Sequence, residues 1–252
     1  MTSFRAALVT GAGKRIGKAI ALNLASNNIA IAVHYHHSPD DADAVVAEIQ
    51  NAGGVAVAVA ADLSKASDVT ALIGDASNAL DVQIDVLVNN ASVFEKDDLL
   101  SLTARSWDKH HLVNLRAPVM LMQSLAFHLG PEGCGSIINI TDQRVLKPNP
   151  QYFSYSASKA GLWAATRTAA QALAPLIRVN AVGPGPTLAN TGQTADAFAA
   201  EAAAVPLGQG PSVQEIANAV LFLLEAPSIT GQMIALDGGQ HLAWRTADIL
   251  ED

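Results

Sequence analysis

The chain has 252 residues, half of them hydrophobic and 15% charged, which suits one large domain with a substantial core and excludes a disordered chain. A net charge of −8 argues against general nucleic-acid binding, yet permits a local basic site for a phosphate-bearing cofactor. Cys134 is the single cysteine, so no intrachain disulfide is expected, and no apolar stretch reaches the ~18 residues of a membrane span; a cytoplasmic setting is expected.

In chain order, residues 6–10 form a short apolar run leading into a Gly-rich turn, which reads as a first strand rather than a signal peptide. Further strands are expected near 29–34, 55–60, 84–89, 135–140, 176–181 and 232–236. Helices are expected near 15–26, 40–52, 65–80, 105–129, 152–173 and 212–225. This alternation predicts a single α/β domain over 1–252: a doubly wound, seven-stranded parallel sheet with helices on both faces and ligands at the carboxyl ends of its strands. The one irregular region, 183–211, opens Gly-Pro-Gly-Pro and closes Gly-Gln-Gly-Pro. Breakers at both ends predict a substrate lid with a short mobile helix.

The segment Thr10-Gly11-Ala12-Gly13-Lys14-Arg15-Ile16-Gly17 joins the first strand to the first helix. Glycines let a pyrophosphate approach the backbone, and the helix N-terminus offers free N–H groups and a favourable dipole. The second strand runs out through His34-Tyr35-His36-His37-Ser38, with no acidic residue before Asp40. A carboxylate there would bond the ribose 2′-hydroxyl of NAD. Its absence favours NADPH, with Ser38 bonding the 2′-phosphate and Lys14, Arg15, His36 or His37 adding charge. Three histidines in four residues also raise a metal site. Strand alternation divides neighbours between faces and no carboxylate or cysteine is interleaved, so no metal is expected. Asp62-Leu63 reads either as a contact to the adenine amino group or as a helix N-cap. Asn89-Asn90-Ala91-Ser92 reads as support for the cofactor ribose or as a lock between strands.

Asp142, Tyr155 and Lys159 form an Asp-x12-Tyr-x3-Lys array. Tyr155 and Lys159 share one helix face. A cation beside a phenol favours the phenolate, so Lys159 is expected to lower the Tyr155 pKa and prepare it for proton transfer near neutral pH. A ketone reductase wants a hydroxyl donor where Asp142 stands. An ionised carboxylate cannot donate, and it repels a developing alkoxide. Hydride transfer to something other than a simple ketone is therefore expected. Burial would raise the Asp142 pKa and Lys159 would lower it, so its protonation state stays open from the sequence.

Thr-Gly-x3-Arg-x-Gly at 10–17, Asn-Asn-Ala-Ser at 89–92, Asn114, Tyr155-x3-Lys159 and Pro184-Gly185, taken in order, resemble the short-chain dehydrogenase/reductase superfamily over essentially the whole chain. The resemblance implies a Rossmann-like sheet and a nicotinamide cofactor held by the 11–17 turn, by Asp62 and Leu63, by Asn90, Ala91 and Ser92, and by Pro184 and Gly185. It makes Tyr155 the catalytic tyrosine, Lys159 the lysine that also holds the nicotinamide ribose, and Asn114 the support of a proton-relay water. Arg15 replaces the usual middle glycine and Asp142 the usual serine. Both departures resemble the pteridine reductases of this superfamily, as do His34–Ser38, Asn90–Phe94 and Ile140-Thr141-Asp142. The bacterial dihydromonapterin reductases look similar here, whereas His37 departs from the arginine of the trypanosomatid enzymes. The resemblance places Phe94 on the face of a pterin and Arg15 between cofactor phosphates and the pterin edge. Ser92, Asp142, Tyr155 and Leu188 surround the same substrate. It also implies a homotetramer, with the 152–173 helix in a dimer interface.

The expected activity is NADPH-dependent transfer of hydride to a C=N bond of a dihydropteridine: dihydrobiopterin, dihydromonapterin or dihydrofolate. Tyr155 would donate the proton, supported by Lys159 and Asp142, and Gln143 and Arg144 would line the cleft. A ketone or quinone reductase of the same superfamily is the alternative enzyme. A catalytically silent NADP-binding regulatory protein is the alternative from another class, and the intact Tyr155–Lys159 pair argues against it.

Overall fold

The computed structural model describes residues 4–190 and 192–244. Its strands are β1 (Ala6–Val9), β2 (Ala30–Tyr35), β3 (Ala56–Ala60), β4 (Val86–Asn89), β5 (Gly135–Ile140), β6 (Ile177–Pro184) and β7 (Met233–Leu236). They pair in parallel in the order β3-β2-β1-β4-β5-β6-β7. The helices are α1 (Arg15–Ser26), α2 (Pro39–Asn51), α3 (Ala66–Leu80), α4 (Ala104–His111), α5 (Ala117–Leu129), α6 (Phe153–Leu173), α7 (Ala195–Ala203) and α8 (Val213–Glu225). The doubly wound parallel sheet expected from the alternation of elements is the fold adopted.

Strand alternation builds two cores. Ala7 and Val9 face α1, α2 and α8, among Ile20, Leu24, Val45, Ile49 and Val220. Ala6 and Leu8 face α3, α5 and α6, among Val69, Leu72, Leu121, Leu125 and Ala170. Central strands are therefore apolar on both faces, and every residue of β1 is buried. A one-residue slip would exchange the two sets, each fitted to different helices. Truncating a fully buried side chain such as Leu8 to Ala costs about 2–5 kcal/mol.

The chain winds outward from β1 to β3, crosses back to β4, and winds outward again to β7. Connections leaving β1 and β4 therefore diverge at their carboxyl ends and leave a crevice.

Beyond shifts of one or two residues at element ends, two elements differ from the sequence reading. The helix expected over 105–129 is divided into α4 and α5 by a π-helical segment, Leu112–Arg116. Pro118 has no N–H to give to the carbonyl of Asn114, and the wider turn absorbs the mismatch. The strand expected at 176–181 runs on to Pro184, because Gly183 and Pro184 stay in register with Ala235 and Leu236 of β7. The irregular segment therefore starts only after Pro184, and it carries the helix α7 between its flanking breakers. Among the described residues no helix is long and apolar enough to cross a membrane.

Candidate active site

The turn after β1 is held open as a cradle. Gly11 has φ +63°, and a Cβ on Gly17 would collide with the Gly11 carbonyl. Asn90 Nδ2 donates to the carbonyls of Thr10 (2.8 Å) and Gly11 (3.2 Å). Thr10 Oγ1 accepts the N–H groups of Asn90 and Ala91 at 2.9 and 3.0 Å. Asn90 is thus the lock between strands, one of its two expected roles. His34 braces the other side. Its Nδ1 accepts from the Gly11 N–H at 3.0 Å, so Nε2 carries the proton towards the Ala61 carbonyl at 3.2 Å. Burial pushes the His34 pKa down to about 4. Helix α1 begins with neither a side-chain cap nor an acidic residue in its first turn, and Lys14, Arg15, Ile16 and Gly17 line the cleft beside it. An uncapped helix N-terminus behind a glycine cradle fits the pyrophosphate of a dinucleotide.

Beyond β2, Lys14 Nζ donates to Asp41 Oδ2 at 2.9 Å and to Ser38 Oγ at 3.4 Å. The Lys14 bond holds the Asp41 carboxyl below its usual range. The His36 and His37 rings lie 3.4 Å apart, with His36 Nε2 3.7 Å from Asp62 Oδ2. An ammonium, a hydroxyl and two imidazoles at one strand end fit a phosphate on the ribose. The three histidines do not converge, since His34 is turned into the sheet. Asp62 is not the N-cap of α3, which is Lys65. It accepts the Ser64 N–H and hydroxyl at 2.9 and 2.6 Å, closing a turn two residues long instead. The Leu63 side chain is buried in the core under α3, so only its main chain is left to meet a ligand.

The carboxyl ends of β1, β4, β5 and β6 open into a cleft of about 440 Å³. On its wall Tyr155 Oη donates to Asp142 Oδ2 at 2.7 Å. Asp142 Oδ1 accepts the Arg144 N–H at 2.8 Å, and the Arg144 guanidinium lies 3.3 Å from Oδ2. Lys159 Nζ donates to the Ile140 carbonyl at 2.7 Å. Burial pushes the Lys159 pKa down to about 8, opposed by the Asp142 carboxylate. Tyr155 corrects the sequence reading. Burial, and then the Asp142 carboxylate that accepts its proton, push its pKa well above the phenol value; Arg144 offsets this in part. Lys159 does not lower it here, because its ammonium is committed to Ile140, 5.8 Å from the phenol ring centre. Tyr155 is held as a neutral hydroxyl.

Asn114 is buried and does not line the cleft. Its Oδ1 accepts from the Val93 N–H (2.8 Å) and the Ser92 hydroxyl (3.3 Å), while Nδ2 donates to the Val93 carbonyl (2.9 Å) and Ser158 Oγ (3.2 Å). These four bonds saturate the amide. The side chain therefore has no bond left for a further ligand, while Pro118 leaves the Asn114 main-chain carbonyl without an α-helical donor.

Phe94 meets Tyr155 edge to face at 4.6 Å, and Tyr152 stacks on it at 4.3 Å. Tyr152 thus covers one face of Phe94, and the Arg144 guanidinium lies 5.5 Å from the Phe94 ring centre. Tyr152 escaped the sequence reading because it precedes α6 in a left-handed conformation (φ +57°) that no motif marks. Arg15 also has positive φ (+56°), which costs a non-glycine residue about 1–3 kcal/mol. Its guanidinium donates to the carbonyls of Ala189 (2.9 Å) and Leu188 (3.4 Å) and so ties the cradle to the segment that follows β6. Leu188, Phe198, Glu201, Pro184, Gly185 and Gln240 also line the cleft. Phe198, Glu201 and Gln240 carry no spacing signal that would have found them.

Residues 11–241 match a family model described as enoyl-(acyl carrier protein) reductase. The chain belongs to the short-chain dehydrogenase/reductase family. Among its relatives, this short-chain reductase is 38% identical to a 3-oxoacyl-[acyl-carrier-protein] reductase of Synechocystis, over 92% of this chain and 95% of that protein. It is 35% identical to the FabG 3-oxoacyl-[acyl-carrier-protein] reductase of Staphylococcus epidermidis, over 94% and 99%. Among solved structures it is similar to the FolM alternative dihydrofolate reductase 1 of Brucella suis, in complex with NADP: 47% identical, TM-score 0.94, covering 99% of this chain and 100% of that one. The Brucella canis protein, also with NADP, gives 47%, a TM-score of 0.93 and 97% of each chain. The short-chain reductase thus brings together on one cleft Gly11, Lys14, Arg15, Ile16, Gly17, Asn90, Ala91, Ser92, Phe94, Asp142, Tyr155, Lys159, Pro184, Gly185 and Leu188. His36, His37, Ser38 and Asp62 sit outside it, at the ends of β2 and β3, where the adenosine end of a dinucleotide would extend from the cradle.

Proposed function

We propose that the protein is an NADPH-dependent reductase of dihydropteridines. The observation that carries this reading is the Asp142 carboxylate accepting the Tyr155 hydroxyl on the cleft wall. A carbonyl reductase needs donors at the developing alkoxide, and a carboxylate in that place opposes one. Reduction of a ring C=N instead leaves a nitrogen that takes up a proton, and its neighbouring N–H groups meet an acceptor favourably. Support also comes from the Phe94 ring beside the cleft, which suits a flat heterocycle, and from the likeness to the two FolM proteins. The Ser38, Lys14, His36 and His37 corner, with no acidic residue at the end of β2, supports NADPH over NADH.

Bound NADPH supplies the hydride. The chain does the rest. The cradle and the α1 N-terminus hold the pyrophosphate, and Lys159, on the α6 face shared with Tyr155, serves the ribose side. Phe94 and the lid fix the plane of the acceptor and exclude water. Tyr155 Oη gives its proton to the nitrogen next to the reduced carbon, while Arg144 offsets the negative charge left on the phenol beside Asp142. The Asn114 carbonyl offers a route for the replacing proton.

A second reading, reduction of a 3-oxoacyl thioester, is supported by the acyl-carrier-protein reductases among the relatives. Replacing Asp142 with Ser separates the two. The dihydropteridine reading expects the variant to fold and bind NADPH but to lose about 10²-fold or more in dihydropterin kcat/KM, within the range of a general acid–base assembly. Unchanged dihydropterin kinetics would remove Asp142 from the mechanism.

A further inference from the structure

Residue 144 encloses Asp142 from two directions. Its N–H engages Oδ1 at 2.8 Å, and its guanidinium lies 3.3 Å from Oδ2, the oxygen that also accepts the hydrogen bond of the Tyr155 hydroxyl at 2.7 Å. The pair is largely withdrawn from water, with side chains 15% and 13% exposed. The guanidinium centre lies 5.5 Å from the Phe94 ring and 5.4 Å from the Tyr152 ring, and its Nε is buried with no hydrogen-bond partner. A desolvated arginine with one carboxylate partner and two aromatic neighbours is too costly a placement for a passive surface residue.

We propose that Arg144 is a positioning residue: it fixes the Asp142 carboxylate against Tyr155 and supplies the positive charge that lets Tyr155 release its proton next to an anion. Without it, proton donation by Tyr155 would leave phenolate and carboxylate 2.7 Å apart, with the Lys159 ammonium committed to the Ile140 carbonyl. Among the described residues, the charged and titratable groups around Tyr155 are Asp142, Arg144 and Lys159, with His110 edge-on to the Tyr155 ring at 6.3 Å. His110 is no substitute for the guanidinium, since its Nε2 accepts the Glu95 N–H and its Nδ1 faces the Ser106 carbonyl. Of the other groups, only the guanidinium lowers the Tyr155 pKa. The phenyl rings of Phe94 and Tyr152 hold the guanidinium in place, which links the aromatic wall of the cleft to the acid–base pair.

This inference rests on Tyr155 acting as proton donor, not on the identity of the acceptor. The test is the pH profile of kcat for Arg144→Met, Arg144→Gln and Arg144→Lys, using whichever acceptor, dihydropterin or diketone, the wild type reduces with NADPH. Arg144→Met and Arg144→Gln should lower kcat about tenfold or more, leave KM for NADPH unchanged and move the alkaline limb upward. Arg144→Lys should recover much of both, because it restores the charge. A purely structural Arg144 would alter stability but not the limb. Equal limbs in wild type, Arg144→Gln and Arg144→Lys would overturn the proposal. Should Arg144→Met fail to fold, the Gln-against-Lys comparison decides it in the same way. Turnover of the diketone alone would contradict the dihydropteridine reading while leaving this test intact.

Discussion

At the residue scale, the proposed chemistry rests on one carboxylate, Asp142, which accepts the Tyr155 hydroxyl. Tyr155, Lys159 and Asp142 were legible from spacing alone, because a helix fixes the i, i+4 pair and the strand end fixes the carboxylate. Their electrostatics were not, because burial is invisible in a sequence. The phenol is driven up rather than down, and the lysine is driven down to about 8. Tyr155→Phe should therefore fold normally, bind NADPH and lose about 10²–10⁴-fold in kcat, measured by steady-state NADPH oxidation. Lys159 has a folded pKa below its unfolded value, so its buried charge costs stability below about pH 8 and the cost fades as pH rises towards 10.5. Lys159→Met should be inactive, and any stability advantage it holds over wild type at pH 7 should shrink by pH 10 in paired denaturant melts.

At the element scale, the strand–turn–helix at 6–26 was readable because glycines, a clean apolar run and an amphipathic helix coincide. Gly17→Ala should weaken NADPH binding by tenfold or more and destabilise the fold by about 1–3 kcal/mol, since its Cβ has no space against the Gly11 carbonyl. Fluorescence titration with NADPH checks the first and thermal melting the second. His34, a spare histidine in the sequence, is the brace between the cradle and β3. It is neutral when folded, with a pKa of about 4 against 6.5, so its contribution is present above pH 6.5 and is lost as pH falls towards 4. About 2 kcal/mol should disappear between pH 7 and pH 5 from this group, and His34→Gln should flatten that slope in urea melts. The π-helical break at Asn114 was missed because a hydrophobic pattern alone runs through it. Pro118, four residues on, was the available signal. The Asp97–Ser154–His110 network, which anchors the start of α6, had none: its members are scattered over 57 positions and meet only in the folded chain.

At the scale of the whole molecule, the order of elements was enough to predict the sheet, because parallel strands joined by helices leave few topologies. Assembly was not readable in the same way. The homotetramer remains an expectation of the family resemblance, and light scattering of the purified protein should return about four times the 26.1 kDa chain mass. Substrate class is likewise a property of the complete cleft: relatives at 35–38% identity act on acyl-carrier-protein thioesters by their names, whereas the FolM proteins at 47% share nearly the whole fold. The difference between those chemistries comes down to what the wall around Asp142 and Phe94 accepts. The most direct measurement is NADPH oxidation by the wild-type protein with dihydrobiopterin, dihydromonapterin and dihydrofolate, each against an acetoacetyl thioester and a simple diketone. A dihydropterin kcat/KM at least about 10²-fold above that of the thioester is the predicted result; efficient thioester reduction with no dihydropterin turnover would contradict it.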